Sequence, residues 1–353
     1  MSFPAQGTVP LIPAVLLCGP TASGKTEILE ELFAAPRSGP SGAGSVSGGS
    51  SAAYPAEIIS ADSMQVYRGM DIGTAKAPPE LRNRLPHHLI DIRDPREQFN
   101  AGEFVRLADQ ACIGITRRGK IPVISGGTGF YLSNFILGLS GAPPSDPVIR
   151  RELREERQSR GIEALAEELV RCDPESARRI HIHDEYRLLR ALEVYRIADR
   201  PLSAYPRPGT ADAAGGGDTG LSGGGGRPRY RFLILVLDRP REEVYRRINE
   251  RCAEMFRRGL PDEVRGLYAA GYSPDDPGMR AIGYREFFIG ATGAWRISED
   301  PAAAAALIAQ NSRRYAKRQL TYFASIPRIK RISAAEHPAG LIRRELDRFL
   351  APA

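Results

Sequence analysis

The chain has 353 residues, enough for one large or two moderate domains with a sizeable core. With 42% hydrophobic and 26% charged residues it has a globular composition, which excludes a disordered or fibrous chain. Lys and Arg outnumber Asp and Glu by 49 to 42, and the resulting charge of +7 permits an anionic partner such as RNA without requiring one. Cys18, Cys112, Cys172 and Cys252 are far apart and form no C-x-x-C pair, so they read as reduced thiols. The apolar run Leu11 to Cys18 is broken by Pro13 and too short to span a bilayer, and no basic leader region precedes it. A cytoplasmic protein without a membrane partner is expected.

In chain order, Ala14 to Cys18 reads as a strand. Gly19-Pro20-Thr21-Ala22-Ser23-Gly24-Lys25-Thr26 follows, then a helical pattern carrying Ile28, Leu29, Leu32 and Phe33. Strand, glycine loop and helix form the context a G-x-x-x-x-G-K-[ST] loop needs to hold a phosphate. Backbone N–H groups turn inward, the helix N-terminus adds positive potential, Lys25 adds a charge, and the Thr26 hydroxyl can ligate Mg²⁺. Pro36 to Ala53, almost wholly Ser, Gly, Ala and Pro, reads as a flexible surface insertion.

Glu57 to Ser60 reads as a buried strand with Asp62 just past its C-terminal end, where open α/β sheets place ligand-binding groups. Asp62 is either a chemical group (a general base, or an acid near Mg²⁺) or a helix N-cap. Met64 to Lys76 reads as a loop, and Pro86 to Ile92 as another strand approach. His87 and His88, adjacent on a strand, face opposite ways; His181 and His183 could share a strand face, yet no third ligand supports zinc. Phe99 to Gly119 reads as a helix leading into the strand Ile121 to Ser125 and the turn Gly126-Gly127-Thr128, whose Thr128 could bond a phosphate oxygen.

From Pro143 to Tyr205 the patterns are helical and charged. Arg150, Arg187 and Arg190 are either a solvated face or contacts to a polyanion. Pro206 to Pro228 is a second Gly-rich stretch. Tyr230 to Asp238 is a buried strand, and Asp238 reads either as a Walker-B-like acid or as the cap of the helix that Pro240 opens. Arg247 and Arg251 share one face of that helix and could address a diphosphate. A helix from about Ala302 carries Arg313, Arg314, Lys317 and Arg318 with Tyr315, Tyr322 and Phe323, a mixture suited to RNA backbone attraction and base stacking or to a solvated face over a core stripe.

Taken together, several segments resemble the tRNA dimethylallyltransferases. They are Gly19 to Thr26, Ile59 to Tyr67, Gly69 to Lys76, Asp91 to Pro95, Gly126 to Thr128, Arg187 to Glu193, Ala281 to Arg285 and Lys317 to Gln319, in the family's order along nearly the whole chain. The resemblance implies an α/β fold: a P-loop NTPase-like core with a parallel sheet plus a small all-helical insertion. The core would comprise 1–142, with 36–54 as a flexible insertion, and 229–353; 143–205 would be the helical tRNA clamp and 206–228 a Gly-rich linker.

It further implies transfer of a dimethylallyl group from dimethylallyl diphosphate to the exocyclic amine of the adenosine beside the anticodon. Gly19, Pro20, Thr21, Ala22, Ser23, Gly24, Lys25 and Thr26 would bind diphosphate, with Mg²⁺ at Thr26. Lys25, Thr128 and Arg251 would stabilise the leaving group, and Asp62 would act as general base. Asp62, Ser63, Met64, Gln65, Thr128, Arg150, Tyr186, Arg187, Leu188, Leu189, Arg190, Arg280, Ala281, Ile282, Gly283, Tyr284 and Arg285 would contact the tRNA anticodon stem-loop. A monomer of the bacterial type is expected, since no Cys/His pair here could form the zinc finger of the eukaryotic branch. The alternatives are a P-loop kinase with a small acceptor, an RNA-binding nucleotide switch, and an adenylate isopentenyltransferase; the basic C-terminal helix and charged helical insertion favour a polynucleotide acceptor over the last.

Overall fold

The computed structural model describes residues 11–35, 54–205, 222–223, 227–228, 230–335 and 337–351. The Gly-rich stretch 36–53 and nearly all of 206–228 therefore lie outside the described residues. The chain divides into two compact units, Met1–Phe135 with Thr219–Leu221 and Pro228–Ala353, and Ile136–Asp218 with Ser222–Arg227.

In chain order the elements are β1 (Ile12–Cys18), α1 (Lys25–Phe33), β2 (Ala56–Ser60), α2 (Pro79–Arg84), β3 (His87–His88), α3 (Ala101–Arg117), β4 (Ile121–Gly126), α4 (Gly129–Leu137), α5 (Pro147–Cys172), α6 (Pro174–Arg179) and α7 (Glu185–Ala198). After a two-stranded ribbon of β5 (Ser222–Gly223) and β6 (Arg227–Pro228) come β7 (Tyr230–Asp238), α8 (Arg241–Arg257), α9 (Leu260–Ala269), β8 (Phe288–Ile289), β9 (Arg296–Ile297), α10 (Pro301–Phe323), β10 (Lys330–Ser333) and α11 (Pro338–Leu350).

The first unit is an α/β layer built on a parallel sheet in the order β10-β7-β1-β4-β2-β3. β1 is central and its residues Ala14 to Cys18 are buried, as expected of an apolar run covered on both faces. Val15, Leu17, Val123 and Leu235 pack with Leu29 and Leu32 of α1 and Ile342 and Leu346 of α11. By strand alternation Leu16, Ile124 and Ile234 serve the other face. Each such side chain contributes about 1.5–3 kcal/mol by leaving water.

The segment Pro86 to Ile92 pairs with β2 only at His87 and His88. Leu89 and Asp91 adopt left-handed backbone (φ 63° and 58°), which ends the strand, and Asp91 instead accepts from Lys76 and Arg82. α3 is shorter than the Phe99 to Gly119 pattern because Asn100 and Glu103 form a reciprocal cap: Glu103 N–H donates to Asn100 Oδ1 and Asn100 Nδ2 to Glu103 Oε2. Asp238 is not the cap of α8. Pro240 caps α8, and the Asp238 carboxylate lies 3.4 Å from Arg331 at the sheet edge.

The second unit packs α5 and α7 around Leu153, Leu165, Leu169, Leu188, Ala191 and Leu192. α5 breaks at Gly161, whose φ of 83° favours glycine. Buried Glu193 accepts from Ser145, Asp146 N–H and Arg190 and pairs with Arg150. Arg150 and Arg190 thus serve this internal carboxylate, Leu188 is interior, and Leu189 packs against the core. Of the RNA contacts expected here, Tyr186 and Arg187 are the exposed ones. His181 and His183 lie in an exposed turn rather than on a strand, and among the described residues no three His, Cys, Asp or Glu side chains could hold a metal together.

Candidate active site

The loop after β1 obtains its shape from left-handed backbone at Ala22 (φ 62°) and Gly24 (φ 98°), the latter opening α1. Its carbonyls are held from outside. Arg247 Nε donates to Ala22 O at 2.8 Å and Arg239 Nε to Ser23 O at 2.9 Å. Lys25 Nζ donates to Gly19 O at 2.9 Å and Pro20 O at 2.8 Å. Thr21 N–H is taken by Gln319 Oε1 and Ser23 N–H by Pro20 O, which leaves the N–H groups of Ala22 and Gly24 and the start of α1 available to an anion. Arg247, read as a diphosphate contact, is instead engaged by Ala22 O and by Glu27 at 3.1 Å. Arg251 has no hydrogen-bond or ion-pair partner among the described residues and lines the crevice over the loop.

That crevice, of about 540 Å³, is lined by Thr21 to Thr26, Asp62, Gln65, Gly127, Arg251 and Tyr315 among others. A second recess of about 260 Å³ is lined by Ser63, Met64, Gly73, Thr74, Arg280, Ala281, Ile282, Arg318 and the apolar Ile248, Met255 and Ile308. Thr21, Asp62, Arg251, Met255 and Tyr315 belong to both. A carboxyl group and an unpaired guanidinium therefore stand where an anion site meets a mostly apolar one.

Asp62 lies just beyond β2, which is locked to β4 by Ala61 N–H to Ser125 O at 2.8 Å and Thr128 N–H to Ala61 O at 3.1 Å. Its Oδ1 accepts from Met64 N–H (2.9 Å) and Gln65 N–H (3.3 Å), shaping the turn, while Oδ2 takes no part in that turn. The N-cap alternative is not met, since the residues after Asp62 form bends and turns and no helix starts there, while Asp62 lines both crevices. Gln65 lines the first crevice, but its amide is occupied by Ser60 Oγ and the carbonyls of Thr74 and Ala75.

Thr128 is not placed as a phosphate ligand. Its hydroxyl accepts from Ser63 N–H at 3.0 Å and bonds Tyr315, and it lines neither crevice. Ala281 and Tyr284 are buried rather than on an outer surface; Arg280, Ala281 and Ile282 line the second recess and Tyr284 does not. Gly283 takes φ 103°, and Arg285 lies over the Trp295 ring.

Burial and the neighbouring Arg251 hold the Lys25 ammonium down at about 8. Burial likewise lowers Arg251 from the ordinary arginine range, with Asp62 opposing that shift. Burial, then the charge of Asp62, pushes Tyr315 up to about 12, keeping a neutral hydroxyl at the junction. Cys18 is pushed up to about 12 by burial and is an inert core thiol.

Sequence reasoning passed over Gln319 and Arg239 as site residues and read Tyr315 as an RNA-stacking or core aromatic rather than as a residue shared by the two crevices. Gln319 lies inside the Lys317-Arg318-Gln319 segment, but its partners Thr21 and Gly127 are 298 and 192 positions away in the chain, which periodicity alone does not reveal. α10 presents both kinds of surface: Gln319 and Phe323 inward, Arg314 and Lys317 outward.

Residues 65–326 match the family model described as IPP transferase. The tRNA dimethylallyltransferase of Geobacter sulfurreducens is 42% identical over 92% of this chain and 92% of its own length, and that of Geobacillus thermodenitrificans 44% identical over 76% and 79%. Among solved structures, the tRNA isopentenylpyrophosphate transferase of Bacillus halodurans has a TM-score of 0.59 at 31% identity, covering 96% of this chain and 97% of its own. A eukaryotic dimethylallyltransferase acting on tRNA, at 22% identity and a TM-score of 0.68, shares the fold. The parallel P-loop-like core, the two crevices joined at Asp62 and these similarities agree: the chain belongs to the IPP transferase family.

Proposed function

We infer that the protein transfers a dimethylallyl group from dimethylallyl diphosphate to tRNA, and that the acceptor is the exocyclic amine of the adenosine beside the anticodon. The observation that carries this reading is that Asp62 and Arg251 line both the phosphate-loop crevice and the second recess. The donor's diphosphate is bound by the N–H groups of Ala22, Gly24, Lys25 and Thr26 with the Lys25 and Arg251 side chains, and the base enters the second recess. The amine nitrogen attacks C1, the C1–O bond breaks, diphosphate leaves with the electron pair, and the amine proton passes to the Asp62 carboxylate.

Physical chemistry assigns the effort. An amine conjugated with a purine is a weak nucleophile, so holding it against C1 is a large part of the task. Preorganised donors at the leaving group are worth about 10²–10³ each, and the general base about 10²–10⁴. Drawing a base from the anticodon loop costs a few kcal/mol, least in single-stranded RNA. Thr26 is exposed at the start of α1, where its hydroxyl fits Mg²⁺. No cluster of acids surrounds it among the described residues, which suits an ion held mainly by phosphate oxygens and water. When bound, Mg²⁺ neutralises charge on the diphosphate.

Tyr186 and Arg187 of the helical unit and Arg314 and Lys317 of α10 supply exposed aromatic and cationic groups for the RNA. The helical unit acts as a tRNA clamp. Both crevices belong to one chain, so a monomer suffices. A P-loop kinase is not favoured by family membership, and it predicts ATP consumption. Incubation with tRNA, Mg²⁺ and labelled dimethylallyl diphosphate tests the reading: label enters tRNA and diphosphate is released without ATP. Unlabelled tRNA under these conditions would overturn it.

A further inference from the structure

Glu263 of α9 lines neither crevice, yet its carboxylate gathers four donors from two distant segments. Oε2 accepts from Asp71 N–H at 3.1 Å and Ile72 N–H at 2.9 Å. Oε1 accepts from Ile72 N–H (3.1 Å), Gly73 N–H (3.3 Å) and the Tyr284 hydroxyl (2.6 Å). The Tyr284 oxygen also accepts from Gly73 N–H at 3.1 Å. The fit is close: a Cβ on Gly73 would lie 2.4 Å from the Tyr284 ring, a distance no side chain tolerates.

The bonded segments are walls of the second recess, which Gly73 and Thr74 line from one segment and Arg280, Ala281 and Ile282 from the other. We propose that Glu263 is a positioning residue for the acceptor: by tying the 71–73 backbone to Tyr284 it fixes both walls against which the incoming base is placed. The proposal rests on the functional reading above. Charge is required, because both carboxylate oxygens face N–H donors. Replacing either oxygen with an amide NH₂ sets donor against donor, whichever way the amide is turned.

Steady-state kinetics of Glu263→Gln and Tyr284→Phe, with an anticodon stem-loop RNA and labelled dimethylallyl diphosphate, test this. Glu263→Gln is expected to raise KM for the RNA about tenfold or more with KM for the donor unchanged and kcat within about threefold. Tyr284→Phe, which removes one oxygen from a retained ring, moves KM for the RNA the same way by less, and decides the matter if Glu263→Gln does not fold. Glu263→Asp, which keeps the charge, recovers part of the loss. Equal changes in both KM values, a loss confined to kcat, or wild-type kinetics in both variants would overturn the proposal. Absence of transfer by the wild-type protein would instead overturn the functional reading.

Discussion

Gln319 binds the phosphate loop to the turn after β4: its Oε1 accepts from Thr21 N–H at 2.9 Å and its Nε2 donates to Gly127 O at 2.7 Å. One amide on α10 thereby sets the spacing between the two glycine turns that border the crevice. Gln319→Glu keeps the acceptor and loses the donor, placing an oxygen against the Gly127 carbonyl. A stability loss of about 1–3 kcal/mol in urea unfolding and a raised KM for the donor are expected. Unchanged values for both would show that the spacing is set elsewhere.

Lys25 gives donor binding a pH dependence. In the unliganded protein its ammonium titrates near 8, so the affinity for inorganic diphosphate should fall as pH rises from 7 to 9.5. The stability effect has the opposite sign. Because the folded pKa is below the ordinary 10.5, the unfolded chain binds more protons between about 8 and 10.5, and Lys25 makes unliganded stability rise across that window. Calorimetric titration reads the first effect and denaturant unfolding the second. Affinity that stays flat to pH 9.5 would show Lys25 charged throughout.

Asp62→Asn separates the residue's two roles. The amide oxygen still accepts from Met64 and Gln65 N–H, so the turn remains, but the base is gone. Transfer should drop by about 10²–10⁴ with RNA affinity within a few-fold of wild type. A comparable loss of RNA binding would assign Asp62 to recognition.

Arg251 and Arg247 should part company despite sharing a helix face. Arg251→Gln removes a crevice cation and is expected to lower kcat by about 10²–10³ with little change in melting temperature. Arg247→Gln withdraws support from Ala22 O, so donor KM rises more than kcat falls. Identical kinetic profiles for the two would contradict this division.

Gly126 is fixed by packing. A Cβ there would lie 2.2 Å from the Ala61 carbonyl oxygen, a backbone atom that cannot swing aside. Gly126→Ala should therefore force apart the ends of β2 and β4 and cost about 1–3 kcal/mol in denaturant unfolding. Wild-type stability would mean that the strand ends relax freely.

The elements whose determinants are local could be read directly from the sequence. The apolar run of β1, the glycine loop and the amphipathic α1 are written in consecutive residues, and so is β7, because a doubly covered parallel strand needs an unbroken hydrophobic stretch. The position of Asp62 beyond β2 follows from the same logic, and the phosphate-loop motif marks its own site. Tertiary structure decided what each charged group faces. Arg247 and Arg251 are equivalent in a helical repeat and both line the crevice, and only the packing of α8 over the loop gives Arg247 the Ala22 carbonyl and Glu27 while leaving Arg251 without such a partner among the described residues. Thr128, Gln319 and Glu263 take their meaning from partners up to 298 positions away, and the Tyr284 hydroxyl is held in the interior by Glu263 of α9 and Gly73. A hydrogen bond depends on distance and direction in space, so the sequence specifies which donors and acceptors exist and the fold decides which of them meet.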